Sequence, residues 1–331
     1  MAGRRRKKSG RRSYAWRYRG RIVACVFVEV IIICALVIMI GWNKGVKEWF
    51  EQFEQPVLKE VDISGINSPN AILMQARGGK ILGEINGEAQ IYPASMTKIM
   101  TVILGIENFD DLDEKITLTN EMFNGLYEQD ATQAGFQPGE EVRVIDLLYG
   151  AMLPSGAECC IALADTISGS EADFAELMNK KARKLGMENT NFCDSTGLHN
   201  PDHYSTVKDI AVLMKYCIKN DTFREIVETS RHSTGVTNIH PDGITYYSTM
   251  FKNLSDPTVT GGKILGGKTG YTSEAGHCLV SFAEIEGREY IFVSAGASGA
   301  DGNTIPHIQD AVTVYNRVGA AIEAKMNNNN K

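Results

Sequence analysis

Residues 22–40 carry one charged side chain, Glu29, in an otherwise apolar run, and the 21 residues before them hold ten Lys and Arg and no acid. An apolar run of about 20 residues is long enough to cross a bilayer as a helix, with every backbone polar group paired internally. Lys and Arg collect on the side that stays in the cytoplasm. The spacing therefore predicts a basic cytoplasmic tail at 1–21, a transmembrane anchor at 22–41, and the rest of the chain on the far side of the membrane. No small-x-small pattern follows Ile40, where the sequence reads Gly41-Trp42-Asn43-Lys44, so a retained anchor is expected over a cleaved leader. Glu29 inside the span either meets a partner helix or sits there protonated.

Charge then excludes one class of partner. The first 41 residues hold ten of the 34 Lys and Arg but one of the 40 Asp and Glu, so the remainder carries 24 basic against 39 acidic side chains, a net of −15. Nucleic acid is not expected to bind such a surface, and the basic tail answers to topology and anionic lipid. Five cysteines follow the span, Cys159, Cys160, Cys193, Cys217 and Cys278, an odd number with no Cys-x-x-Cys pair. They read as small buried side chains, with one disulfide left open. His199 and His203 are separated by Pro201 and lack a neighbouring metal-site pattern, so no metal and no cofactor is expected.

Residues 42–62 place Val46, Trp49, Phe50 and Phe53 on one helical face, an amphipathic stalk that packs on the domain or lies on the membrane. A folded domain is expected over 63–325. Ala71–Ala76 and Lys80–Ile85 read as strands around Arg77-Gly78-Gly79, a hairpin signal. Helices are expected at Val144–Leu153, Glu158–Thr166, Glu171–Leu185 with Gly186 as its stop, and Ser205–Lys219 with Ser205 or Thr206 as N-cap. Strands return at Ile244–Thr249, Lys263–Thr269, Gly276–Glu284 and Tyr290–Ala295, the last two joined by a tight turn at Glu286-Gly287-Arg288. A last helix at Thr304–Ala324 precedes an unstructured polar tail at 326–331. Strands, a helical block, then strands again indicate an α/β domain of the α+β type, an antiparallel sheet flanked by helices with a mostly helical subdomain.

The chemistry centres on Tyr92-Pro93-Ala94-Ser95-Met96-Thr97-Lys98-Ile99-Met100. Pro93 suits the first turn of a helix, and Ile99, Val102, Ile103 and Ile106 recur on one face. Ser95 and Lys98, three apart, have Cβ atoms roughly 5–6 Å from each other on a helix, so the amine reaches the hydroxyl. An unprotonated lysine can take the proton that keeps serine a poor nucleophile. Ser-x-x-Lys alone is a weak signal. The chain repeats it at Ser205–Lys208, which looks like the capped start of an ordinary helix.

Two further motifs follow Ser95 in order, Ser155-Gly156-Ala157 and Lys268-Thr269-Gly270-Tyr271. Ser155, on the turn after Pro154, is placed to relay a proton among Lys98, Lys268 and a leaving amine. Lys268 and Thr269 offer a charge and a hydroxyl to a substrate carboxylate, and Gly270 admits a close backbone on an edge strand. The backbone N–H groups of Ser95 and Tyr271 are expected to form an oxyanion hole.

This ordered set resembles the penicillin-recognising serine enzymes, and within them the low-molecular-mass D-alanyl-D-alanine carboxypeptidases. Supporting stretches are Tyr92–Thr101, Leu148–Ala157, Asn191–Leu198, His203–Ile210 and Gly267–Leu279. The resemblance, which covers roughly residues 65 to 300, implies a β-lactamase/transpeptidase-like fold. It implies Ser95 as acylated nucleophile, Lys98 as base, Ser155 as relay, and Lys268 with Thr269, Gly270 and Tyr271 binding substrate. The implied substrate is a peptidoglycan stem peptide, with β-lactam antibiotics as acylating inhibitors. A catalytically weak penicillin- or wall-binding protein is the alternative reading, and a β-lactamase a weaker one, since no Glu-x-x-Leu-Asn stands near Asp194–Leu198. Two features depart from the pattern. Ala157 stands where Ser-x-Asn is usual, and no Lys or Arg occurs between Arg288 and Arg317, where many relatives carry a carboxylate-binding cation.

Overall fold

The computed structural model describes residues 58–299 and 305–329. The expected tail, the apolar run with Glu29, and most of the stalk lie outside them. Among the described residues no helix is long and apolar enough to cross a membrane.

The chain opens with a hairpin, β1 (Asn70–Gln75) and β2 (Ile81–Ile85). A helical block follows: α1 (Lys98–Asn108), α2 (Val144–Met152), α3 (Ala157–Ser168), α4 (Glu171–Leu185), α5 (Val207–Cys217) and α6 (Asp221–Glu228). Two small two-stranded sheets decorate it, β3 (Lys115–Thr117) with β4 (Glu141–Arg143), and β5 (Arg231–Ser233) with β6 (Thr245–Tyr247). After the short α7 (Thr249–Asn253) come β7 (Thr258–Val259), β8 (Gly262–Thr272), β9 (Gly276–Ile285) and β10 (Arg288–Ala297). Helix α8 (Pro306–Asn329) follows. The main sheet runs β2-β1-β10-β9-β8-β7, antiparallel throughout.

Both faces of this sheet are covered, which is why its strands read as apolar runs rather than as alternation. Ile72, Met74, Val280, Phe282, Ile291 and Val293 pack under the helical block. Leu73, Leu279, Phe292 and their neighbours pack against Val314, Tyr315 and Val318 of α8. The β9–β10 turn carries two successive left-handed residues, Glu286 at φ 49° and Gly287 at φ 68°, the pairing that suits a two-residue hairpin. Helix α4 forms as expected: Ser170 Oγ accepts from Asp173 N, Phe174, Ala175, Met178 and Ala182 face inward, and Gly186 at φ 80° ends it. Thr206, not Ser205, caps α5.

Three boundaries differ from expectation. Leu58 and Val61, in the last part of the predicted stalk, are buried in the second core, and Val61 N donates to Leu82 O, so the domain begins before residue 63. The strand expected at Ile244–Thr249 stops at Tyr247 because Ser248 Oγ accepts from Phe251 N and starts α7. Helix α8 continues to Asn329, past the expected end at Ala324, because Met326 packs on the second core and anchors the turns around it.

Candidate active site

Strand β8 positions one wall. Its outer neighbour β7 pairs only with Gly262 and Lys263, so the half from Lys268 to Thr272 forms an open edge. That edge presses on the turn carrying Ser95. A Cβ on Gly270 would lie 3.0 Å from Ser95 N and 3.1 Å from Ala94 Cβ, tight enough to force a small shift, so glycine lets strand and turn meet this closely. Ser95 itself lies in a 3-10 turn, Ala94–Thr97, that runs straight into α1. The residue before it, Ala94, is held at φ 46°, a left-handed conformation that costs a side-chain-bearing residue energy and here turns the Ser95 hydroxyl out of the helix start.

Four side chains form one hydrogen-bonded chain. Lys98 Nζ donates to Ser95 Oγ at 3.1 Å. Ser155 Oγ donates to Ser95 Oγ at 3.0 Å, and Lys268 Nζ donates to Ser155 Oγ at 3.0 Å. Helix α2 ends at Met152, and Ser155, in the turn beyond it, is also left-handed at φ 74°, with Gly156 N donating back to Gly150 O. Two strained residues thus aim the two hydroxyls at each other.

Both lysines are buried, Lys98 3% and Lys268 1% exposed. Lys98 Nζ also donates to Thr196 O at 2.6 Å and Lys268 Nζ to Thr269 O at 2.9 Å. Burial first, and then the charge of Lys98, hold the Lys268 amine well below its ordinary range. The sequence placed Lys268 both against a substrate carboxylate and in a relay with Ser155; in the structure its amine donates to Ser155 Oγ. Thr269 Oγ1 instead meets Thr249 Oγ1 at 2.7 Å. Gly270 and the exposed Tyr271 line the open cavity above Ser95, about 610 Å³ in volume. All seven residues singled out from the sequence therefore meet in one place.

A loop that the sequence flagged only as a supporting stretch holds Lys98. Asp194 Oδ1 accepts from Thr196 N, Thr196 Oγ1 and Gly197 N, each at 2.7 Å, which fixes the Thr196 carbonyl on Lys98. Burial pushes the Asp194 carboxyl up, but His203, Thr196 and Gly197 outweigh it and leave it at about 2. Gly197, at φ 80°, lies so close to Ala94 that a Cβ would fall 1.9 Å from Ala94 O. The Asp-Ser-Thr-Gly order is a turn signature and was the available signal. The second Ser-x-x-Lys is structural: Ser205 is buried and Lys208 pairs with Glu88 at the surface.

Ala157 borders a small cavity of about 50 Å³ shared with Ser95, Lys98, Asp130, Thr132 and Thr196, the space a longer side chain would enter. Its neighbour Glu158 does not fill it. Glu158 Oε1 accepts from Ala134 N and Gly135 N and so pins the loop beside the site, while burial raises its pKa. The five described cysteines are all free thiols.

The sequence profile of the D-alanyl-D-alanine carboxypeptidase family matches residues 57–299. A Bacillus subtilis D-alanyl-D-alanine carboxypeptidase, DacF, is 34% identical over 229 residues, 69% of this chain and 57% of that protein. Escherichia coli DacC is 33% identical over 262 residues, covering 72% of this chain and 58% of its own. The chain thus spans a little over half the length of these relatives. The crystal structure of a Streptomyces DD-transpeptidase superposes with a TM-score of 0.71 at 29% identity, over 79% of this chain and all of that one. With the profile running through Ser95, Ser155 and Lys268 alike, the chain belongs to the D-alanyl-D-alanine carboxypeptidase family.

Proposed function

We propose that this protein is a serine-type D-Ala-D-Ala carboxypeptidase that removes the terminal D-alanine from peptidoglycan stem peptides. The observation that carries this is the unbroken chain Lys98–Ser95–Ser155–Lys268 at the floor of an open cavity. Lys98 takes the Ser95 proton as Oγ attacks the carbonyl between the last two D-alanines. The N–H groups of Ser95 and Tyr271 stabilise the oxyanion, a contact made mainly in the transition state. Ser155, bonded to Lys268, relays that proton from Lys98 to the departing amine, which leaves Lys98 neutral again. D-Alanine leaves, and water, deprotonated by Lys98, hydrolyses the ester on Ser95. Lys268 suits a relay because its amine donates to Ser155 Oγ, while burial and the charge of Lys98 weaken its hold on a proton.

The same chemistry makes β-lactams acylating inhibitors of Ser95. The apolar run at 22–40 with its basic flank supports a single-pass anchor, cytoplasmic N-terminus and extracytoplasmic catalytic domain, the compartment in which peptidoglycan lies. The test is to assay D-alanine release by the full chain in detergent from a peptide ending in D-Ala-D-Ala and from one ending in L-Ala-L-Ala. Release from the first alone is expected; release from neither by folded protein contradicts the proposal.

A further inference from the structure

Among the described residues no lysine or arginine lines the 610 Å³ cavity. Lys98 and Lys268 lie beneath it with their amines committed to Thr196 O and Ser155 Oγ. The cationisable side chains on its wall are His199, His277 and His307. His199 packs edge-on against Tyr92 and faces the Glu274 carboxylate at 3.9 Å. His277 and His307 are different. His277 is the cross-strand partner of Tyr271, their rings 4.7 Å apart. His307, in the first turn of α8, stacks on His277 with ring centroids 5.0 Å apart and planes 7° from parallel. It is 5% exposed, and its Nδ1 is buried with no hydrogen-bond partner among the described residues. A buried polar atom left unpaired costs about 1–3 kcal/mol and calls for an explanation.

Register supplies the neighbour that completes a site. Thr269 and Tyr271 share a face of β8, and His277 opposes Tyr271, so His277 lies on the same face, diagonal to Thr269 at roughly 7–8 Å. We propose that the His277–His307 pair, together with the Thr269 hydroxyl, forms the subsite for the substrate's terminal carboxylate, and that the pair takes up a proton as that carboxylate binds. This rests on the carboxypeptidase reading and deepens it.

Charged and titratable groups around the pair are few among the described residues. On α8, Asp310 lies one turn beyond His307, its carboxylate taken up by Asn67 and Ser68. The cavity wall adds Tyr271, Asp130, Glu274 and His199. Burial lowers both imidazoles, His307 to about 4 with help from His277 and against Asp310. The pair holds a proton weakly when empty, and the negative charge of an arriving carboxylate favours uptake of one from solvent. Affinity for a carboxylate-ended ligand rises as pH falls from 8 to 5.5.

The experiment measures binding of peptides ending in D-Ala-D-Ala, as free acid and as C-terminal amide, to the full-length Ser95→Ala protein in detergent at pH 5.5 and 8. The acid is expected to bind about tenfold better than the amide at pH 5.5, the size of a charge-assisted hydrogen bond, with much less preference at pH 8. His277→Phe and His307→Phe keep a stacking ring but remove the nitrogens, and each is expected to abolish the preference and its pH slope. A preference independent of pH, or unchanged in either variant, overturns the proposal. If His307→Phe fails to fold, the half-buried His277→Phe and the slope of the parent protein decide. Loss of the parent reading looks different: wild-type protein then releases no D-alanine at any pH.

Discussion

At the scale of single residues, the site is two hydroxyls aimed at each other between two buried amines. Ala94 and Ser155 are both left-handed, and each spends backbone strain to bring Ser95 Oγ and Ser155 Oγ to 3.0 Å. Asp194 acts at one remove, through the Thr196 carbonyl on Lys98. Asp194→Ala is expected to lower kcat on the order of 10-fold to 100-fold with KM little changed, because it frees Lys98 without touching substrate. An effect on KM alone would contradict that role. Ala157 leaves room beside Lys98, and Ala157→Asn places an amide in that space. The variant is expected to raise kcat by about tenfold or more, the scale of one added polar contact to a reacting centre. Unchanged or reduced turnover would show that the site has no use for the amide.

At the scale of elements, the active site is the seam where an open strand edge meets a helix start. Gly270 sets the spacing of that seam, so Gly270→Ala must push β8 and the Ser95 turn apart by a few tenths of an ångström. About 100-fold loss in the acylation rate is expected, with near-native stability, measured by stopped-flow labelling and by thermal melting. The elements themselves were mostly legible. Period and caps located α4 within its observed bounds, because Ser170, Glu171 and Gly186 state both ends locally. Strands β3, β4 and β5 escaped, since three-residue strands have too little pattern to register. The end of α8 escaped for another reason: Met326 is held by the fold, and tertiary packing overrode a polar composition that reads as disorder. In the site, the three motifs announced their residues, but not how deeply the Lys268 amine is enclosed. That enclosure is a long-range fact.

At the scale of the whole molecule, function costs stability. Lys268 is fully enclosed, and burial with the Lys98 charge holds its amine well below the usual lysine range. The unfolded chain therefore binds a proton that the folded chain binds less well. The resulting destabilisation is full below the folded pKa and fades as pH rises from there to 10.5. Lys268→Met is expected to remove turnover yet raise Tm at neutral pH by at least about 2 °C, with less gain at high pH. A lower Tm would mean that the hydrogen bonds to Ser155 and Thr269 outweigh the buried charge. The proposed orientation rests on the ten Lys and Arg that precede the apolar run. Protease added to intact spheroplasts is expected to digest the domain and leave the tail; the reverse pattern would overturn the proposed orientation.

The central claim is that Ser95, activated by Lys98, carries the acyl group. It is tested most directly by incubating the wild-type chain with benzylpenicillin and locating the adduct by mass spectrometry after proteolysis. The account predicts one penicilloyl group on Ser95, absent from Ser95→Ala and formed far more slowly in Lys98→Ala. An adduct on any other residue, or none on wild-type protein that melts cooperatively, would contradict it.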